Sequence, residues 1–211
     1  MSIPIFSGKD LVSRSAAQIK YFRDHPEEKG REITPGMIRG SEYQEAVTNV
    51  LGGMKEMKSD LTYNNIRICC CHDLINKYER TITEIKHVDK TRDIPEWYFQ
   101  QSILQCVLYK TVYHYSGGVL TTPKFMIDQG YEAQTFVMSL SKYQLLFGDK
   151  LYEIIINPDN YIDIIRYFEI KALYSLKSYD TAKSYDAIHY KHHFEDLRQY
   201  FDYQLIKNIK I

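Results

Sequence analysis

The 211-residue chain lacks net charge: Lys plus Arg is 27 and Asp plus Glu is 27. The balance holds in each half, with 15 of each sign over residues 1–100 and 12 of each over residues 101–211. That excludes a strongly basic glove that grips nucleic acid by charge alone, and it excludes an acidic tail. Long apolar runs are missing too. None approaches the roughly 18–20 residues that cross a bilayer, and Met1 to Asp10 lacks the charged-then-apolar pattern of a secretory leader. The expectation is a soluble, cytoplasmic chain with no membrane partner. Cysteine is scarce, and its spacing suits neither a disulfide framework nor a metal claw. Cys69, Cys70 and Cys71 are consecutive and Cys106 stands alone. Successive strand residues point to opposite faces, so Cys69 and Cys71 fall on one side while Cys70 and His72 fall on the other. These cysteines are expected to be small buried residues of a core strand. Internal repeats and low-complexity linkers are absent as well, so residues 1–211 read as one domain, with a core over about 40–157 and a helical part over about 158–203.

What is present is enough apolar material for a core, at 44% hydrophobic and 26% charged residues. Tyrosine is in excess: 19 Tyr stand against 9 Phe and 1 Trp, and 15 of the 19 lie at or beyond Tyr98. Tyrosine offers a stacking face and a neutral hydroxyl, although packing on C-terminal helices accounts for most of such an excess.

Local patterns predict a helix from Leu11 to about Arg23, with Leu11, Ala16, Ile19 and Phe22 inward. A second helix is predicted from a capping box at Ser41 and Gln44 to about Lys58, interrupted at Gly52-Gly53. Ile66–Asn76 and Arg80–Val88 read as two strands of an antiparallel hairpin. Asp93 and Glu96 form another capping box, opening a helix from about Pro95 to Tyr113 that Ser116-Gly117-Gly118 ends. Strand-like runs follow at Val119–Thr122, Gln134–Leu140, Leu145–Phe147 and Leu151–Ile156, and Pro158 opens a helical region striped by Ile162, Ile165, Phe168 and Leu173. A last helix is expected from Tyr185 to about Tyr203. The order indicates an α/β fold, a central mixed sheet flanked by helices, with extra helices at the C-terminus.

The hairpin carries the chemistry. With its turn centred on Tyr78-Glu79, Asp73 lies opposite Glu84; a wider loop instead sets Glu84 opposite Cys71, with Asp73 one diagonal step away. In either register two like charges are neighbours, which is destabilising unless something positive joins them. Lys86 projects from the same face as Glu84. Two carboxylates can hold a hard cation such as Mg²⁺, and a lysine beside them can orient a water or stabilise developing negative charge. That combination suits phosphodiester hydrolysis.

These residues resemble a known family. Asp73 followed by Glu84, Ile85 and Lys86 is similar to the signature of the PD-(D/E)XK nuclease superfamily. Gln105 and Tyr109 resemble the QxxxY motif of its RecB-like and phage λ exonuclease-like branches, with Gln101 matching a further glutamine after the aromatic pair Trp97-Tyr98. The match spans about residues 40–113. It implies a restriction-endonuclease-like core and a metal-dependent DNA nuclease, exonuclease-like in action and of the kind encoded by phages or mobile elements (hence in a host cytoplasm), with DNA as partner and a possible homo-oligomer. It implies Asp73, Glu84 and Lys86 as catalytic residues, and Glu45, Asp73, Glu84 and the Ile85 carbonyl as the Mg²⁺ (or Mn²⁺) site. Gln101, Gln105 and Tyr109 would contact nucleic acid. Glu42 competes with Glu45 for the helix position, and His72 stands where many members carry proline. The four cysteines are misplaced for the iron–sulfur subgroup. Two rivals stand beside this reading: a nuclease-fold protein that binds nucleic acid or a partner without cutting, and an interaction protein whose motif match is chance. His72 and His87 are expected to pack or to face solvent, and Lys191-His192-His193 to lie on a helix surface.

Overall fold

The computed structural model describes residues 3–30, 33–89, 93–116, 119–120, 136–137 and 142–209. The cysteine-rich run forms a strand, β3 (Ile66–Asn76), and the run holding Glu84 and Lys86 forms β4 (Thr81–Lys86). One side chain shapes the turn between them. Asn76 Oδ1 accepts the amides of Tyr78 and Glu79, both at 3.0 Å, the local bonding that makes asparagine a turn former. Leu74 then faces Thr83, Ile75 faces Ile82 and Asn76 faces Thr81 in an antiparallel ladder. This is the register expected for the tight turn, and not that of the wider loop.

β3 is the hub of the sheet. Along one edge it pairs antiparallel with β2 (Met54–Tyr63), from Met54–Ile75 to Tyr63–Ile66. Its other edge is shared: β1 (Ile5–Ser7) runs parallel to Arg67–Cys69, and β4 takes Leu74–Asn76. β4 pairs in parallel with β7 (Lys142–Phe147), which pairs antiparallel with β8 (Lys150–Ile156), which pairs antiparallel with β9 (Phe201–Asn208). The result is a seven-stranded mixed sheet in the order β1-β3-β4-β7-β8-β9, with β2 on β3. The fold is α/β, with helices flanking the sheet. β5 (Val119–Leu120) and β6 (Phe136–Val137) form a separate antiparallel ribbon; the remainder of the two strand runs expected there lies outside the described residues.

The main core lies where α1 (Gly8–Ser13), α4 (Glu96–Tyr115) and α5 (Tyr161–Tyr174) meet one face of the sheet, with Leu11, Ile68, Ile75, Ile82, Leu108 and Phe168 buried together. On a second cluster, Val47 of α3 (Pro35–Leu51) packs with Leu74, Ile85, Leu146 and Leu151. The tyrosine excess is mostly packing. Tyr109, Tyr113, Tyr143, Tyr161 and Tyr185 are buried, and Tyr174 stacks on Tyr185 with ring centroids 4.6 Å apart. Cys70 and Cys106 are core residues as expected, but Cys71 is exposed and Cys69 is half-buried. No described helix is long and apolar enough to cross a membrane.

Several boundaries differ from expectation, each for a local reason. The first helix is two: Ser15 and Gln18 form a reciprocal capping box that starts α2 (Ala16–Asp24) afresh. α3 begins at Pro35 rather than Ser41, because the Thr34 side chain caps the Met37 amide and Pro35 fits the first turn. It ends at Gly52 (φ 64), and Gly53 follows with φ 129. A helix cannot pass two such residues, so the stretch expected as helix to Lys58 is strand β2. At Gly53 a Cβ would come within 2.6 Å of the Ile75 carbonyl oxygen, so only glycine fits there. α4 starts at Glu96 with Pro95 as its cap and no side-chain capping bond, in place of the expected Asp93–Glu96 box. The expected helix from Tyr185 to Tyr203 is instead the end of α6 (Tyr179–His189), a short α7 (His193–Leu197) and the start of β9.

The C-terminal elements belong to the core. Ile164, Ile165 and Phe168 of α5 are fully or nearly fully buried, and β9 covers the edge of β8. Deleting residues 158–211 is therefore expected to abolish cooperative unfolding in far-UV circular dichroism. A truncated chain that melts cooperatively would show that the first 157 residues need no such cover.

Candidate active site

The site begins where the hairpin ladder stops. Asp73 and Glu84 are the next facing pair after Leu74–Thr83, yet they do not join the ladder. Instead Asp73 Oδ2 accepts the Ile85 amide at 2.8 Å. β1 ends at Ser7, opposite Cys69, so on this edge the stretch of β3 from Cys70 to Asp73 has no strand neighbour among the described residues. The sheet opens there into a groove of about 820 Å³. The opening is lined by β1 and the first turn of α1, by β2, β3 and β4, and by one face each of α3 and α4.

Glu84 is 1% exposed. Its Oε1 accepts two hydrogen bonds, from Lys86 Nζ at 2.5 Å and from Gln105 Nε2 at 2.6 Å. Its Oε2 is buried and has no donor. Burial, and next the charge of Asp73, push the Glu84 carboxyl up to about 8, with Lys86 working against them. Burial alone would lower the Lys86 ammonium, but Glu84 and Asp73 outweigh it and hold Lys86 above its ordinary range. The three groups form a coupled cluster with one more acid than base, so an orphaned buried carboxylate oxygen faces a polar groove. A divalent cation fits that deficit, because hard cations take carboxylate oxygens and keep waters for the rest of their shell. Asp73 and Glu84 could hold it. The Ile85 carbonyl could join them: within a strand the N–H and C=O of one residue point to the same side, and the Ile85 N–H points at Asp73. Among the described residues, the one trio of His, Cys, Asp or Glu with all its ligand atoms within 4.8 Å is His25, Glu27 and Glu28, exposed and not among the residues that line this groove.

The remaining residues expected at the site divide. Gln105 is 8% exposed and bonded to Glu84, and Tyr109 is buried with its ring at the groove. Tyr109 packs so closely on α1 that a Cβ at Gly8 would lie 2.9 Å from its ring. Gln101 is not brought to Glu84. It lines a separate groove of about 260 Å³ with Trp97, Gln100, Lys191 and Phe194. At 3.6 residues per turn each four-residue step drifts by about 40°, which separates Gln101 from Tyr109 by about 80° around α4. Tyr98, seven residues before Gln105, keeps the facing and lines the main groove. Glu45 is exposed and not among the groove residues; α3 instead presents Gly36, Met37, Gly40, Ser41 and Gln44. Glu42 is also exposed and outside the groove.

Sequence reasoning missed Glu56 and the burial of His193, and it left His72 between packing and solvent. Glu56 on β2 lines the groove with a positive φ of 53. His72 is fully buried behind the site, with Nε2 2.6 Å from Ser59 Oγ and Nδ1 2.9 Å from Tyr143 Oη. Burial lowers its pKa to about 3. His193, expected on a helix surface, is buried between Lys171 Nζ at 3.2 Å and Tyr167 Oη at 2.5 Å. The apolar stripe of α5 was the available sign that Lys171 and Tyr167, on neighbouring turns, enter the interior. Comparison with family models and with curated proteins finds no match to this chain.

Proposed function

We propose that the groove is the active site of a PD-(D/E)XK-like nuclease that hydrolyses DNA phosphodiester bonds with Mg²⁺ or Mn²⁺, in the exonuclease manner that the λ-type resemblance implies. The carrying observation is the Glu84 carboxylate, buried and pinned through Oε1 while Oε2 has no donor. A stability-driven core would not retain such a group, since an unsatisfied buried polar atom costs about 1–3 kcal/mol.

In this reading Asp73, Glu84 and the Ile85 carbonyl hold the cation. When bound, it lowers the pKa of a coordinated water and neutralises charge developing on phosphorus. Gln105 fixes the Glu84 carboxylate so that its second oxygen stays toward the cation. Lys86, already positioned by Glu84, orients the attacking water and stabilises the transition state. Lys9 and Lys58 on the groove walls offer phosphate contacts, and Tyr98 and Tyr109 offer neutral ones. That arrangement supplies a local positive field without a basic protein, which answers the net-zero composition.

The test is a gel assay of linear and plasmid DNA with Mg²⁺ or Mn²⁺, comparing wild type with Lys86→Ala. Wild type should shorten linear DNA, and Lys86→Ala should slow it by on the order of 10²–10³-fold. Equal rates would sink the assignment. An inert wild type that still shifts DNA would favour the non-cutting nuclease-fold reading.

A further inference from the structure

We propose that Glu56 is a further metal ligand of this groove and that, with Asp73, it forms a second divalent-cation position. The inference rests on the nuclease reading and extends it to a residue that the motif does not contain. Lys55 faces Leu74 and Met57 faces His72, which leaves Glu56 in register with Asp73. The ladder omits that one pair, and Glu56 there has φ 53, in the left-handed region that non-glycine residues seldom occupy. Strained positions of this kind concentrate where a side chain must be aimed at a ligand. Glu56 and Asp73 both line the groove.

The independent sign of a cation is Glu84, 1% exposed, with Oε2 lacking a donor on the same groove. Asp73 stands between it and Glu56: in register it faces Glu84 on β4 and Glu56 on β2. A shared central carboxylate with one acid on either side suits two hard cations about 3.5–4 Å apart, the arrangement that clamps both oxygens of an in-line displacement. The helix glutamate suggested by the motif is exposed and off the groove, and Glu56 fills that role from the opposite strand.

The probe is Mn²⁺ alone, titrated into the full chain without DNA and followed by electron paramagnetic resonance of the free ion. Wild type should bind two Mn²⁺ per chain. Glu56→Asn should bind one, with the affinity of the remaining site within about threefold of wild type, and Glu84→Gln should lose the tighter site. Asparagine tolerates a positive φ, so Glu56→Asn should melt at or above the wild-type temperature; Glu56→Gln serves as the second variant if it does not. Two Mn²⁺ bound unchanged in both Glu56 variants, or only one bound by wild type, would overturn the second position and leave the nuclease reading standing. No Mn²⁺ bound by wild type, or binding unaffected by Glu84→Gln, would overturn the nuclease reading itself.

Discussion

Replacing Glu84 by Gln is expected to abolish DNA cleavage and, in buffer stripped of divalent ions, to stabilise the folded chain. Cleavage should fall by at least on the order of 10²–10³-fold, the typical loss when one preorganised charge-stabilising group is removed. The gain in stability follows from linkage. In the folded chain the Glu84 carboxyl is raised from 4.5 to about 8. Between those values the native state keeps a proton that the unfolded chain has released. The contribution of this group is therefore fully present below pH 4.5 and is lost as pH rises through about 8. Glutamine does not ionise, and it can still accept from Lys86 and Gln105. The stability difference between variant and wild type should therefore widen from pH 5 to pH 9 in urea titrations with a chelator present. Titrating groups uncoupled from Glu84, such as Lys171, which burial lowers to about 7, occur in both proteins and cancel in the difference. Added Mn²⁺ should raise the wild-type midpoint by more than it raises the variant's. Parallel curves across that range would show that Glu84 is not the strained acid described here. A variant that both cuts DNA and gains stability would remove it from the chemistry.

His72→Ala is expected to cost about 3–5 kcal/mol, enough to bring a domain of ordinary stability close to unfolding. The imidazole is 0% exposed, and both ring nitrogens are bonded, to Ser59 and Tyr143. Its ring meets those of Tyr109, Tyr113 and Tyr143 with centroids 5.5–5.9 Å apart. Alanine leaves a cavity and two hydroxyls without their partner, and an orphaned buried hydroxyl alone costs about 1–3 kcal/mol. Equilibrium urea unfolding by circular dichroism measures it; Trp97 is a poor probe because it is 62% exposed. A loss under about 1 kcal/mol would show that the cluster relaxes around the gap. The same histidine sets an acid limit. Its pKa is about 3 in the fold against 6.5 unfolded, and His193 behaves alike, for burial and for the nearby Lys171 and His189 charges. Unfolded chains bind those protons first, so this stability is complete above pH 6.5 and drains away as pH falls toward 3. In His72→Ala the drop over that window should be shallower.

His72 also illustrates how far the sequence could be read. On a straight strand it belongs to the face opposite Asp73, and the structure does bury it. The residues that enter the main core nevertheless switch parity along β3, from Ile66, Ile68 and Cys70 to Ile75. The switch brackets Asp73, whose partner position Glu56 breaks the β2 ladder. Alternation counting assumes an unbroken strand, so it foresaw Asp73 and Glu84 as neighbours but not the opening that turns them into a groove. The helix assignments failed on similar grounds. A capping box located α3, but its facing is set by packing, which puts Val47 in the second cluster and Gln44 on the groove and leaves Glu45 exposed. The first residues of β9 read as the end of a helix because Phe201, Tyr203 and Leu205 alternate in too short a window to outweigh the helical residues before them.

What the sequence determined by itself is whatever neighbouring residues decide. It set the α/β class, the hairpin with its register narrowed to two, and the placing of Asp73, Glu84 and Lys86 on adjoining strands. Those features depend on alternation and turn chemistry within about twenty residues of chain. Only the tertiary structure decided which distant side chains complete the group. Gln105 reaches Glu84 because α4 packs across the sheet. Glu45 does not reach it because α3 is rotated away, and Glu56 enters because its strand breaks opposite Asp73. Each choice turns on the azimuth of a packed helix or the continuity of a ladder. Both are fixed by close packing between elements far apart in the chain, and no local pattern records them.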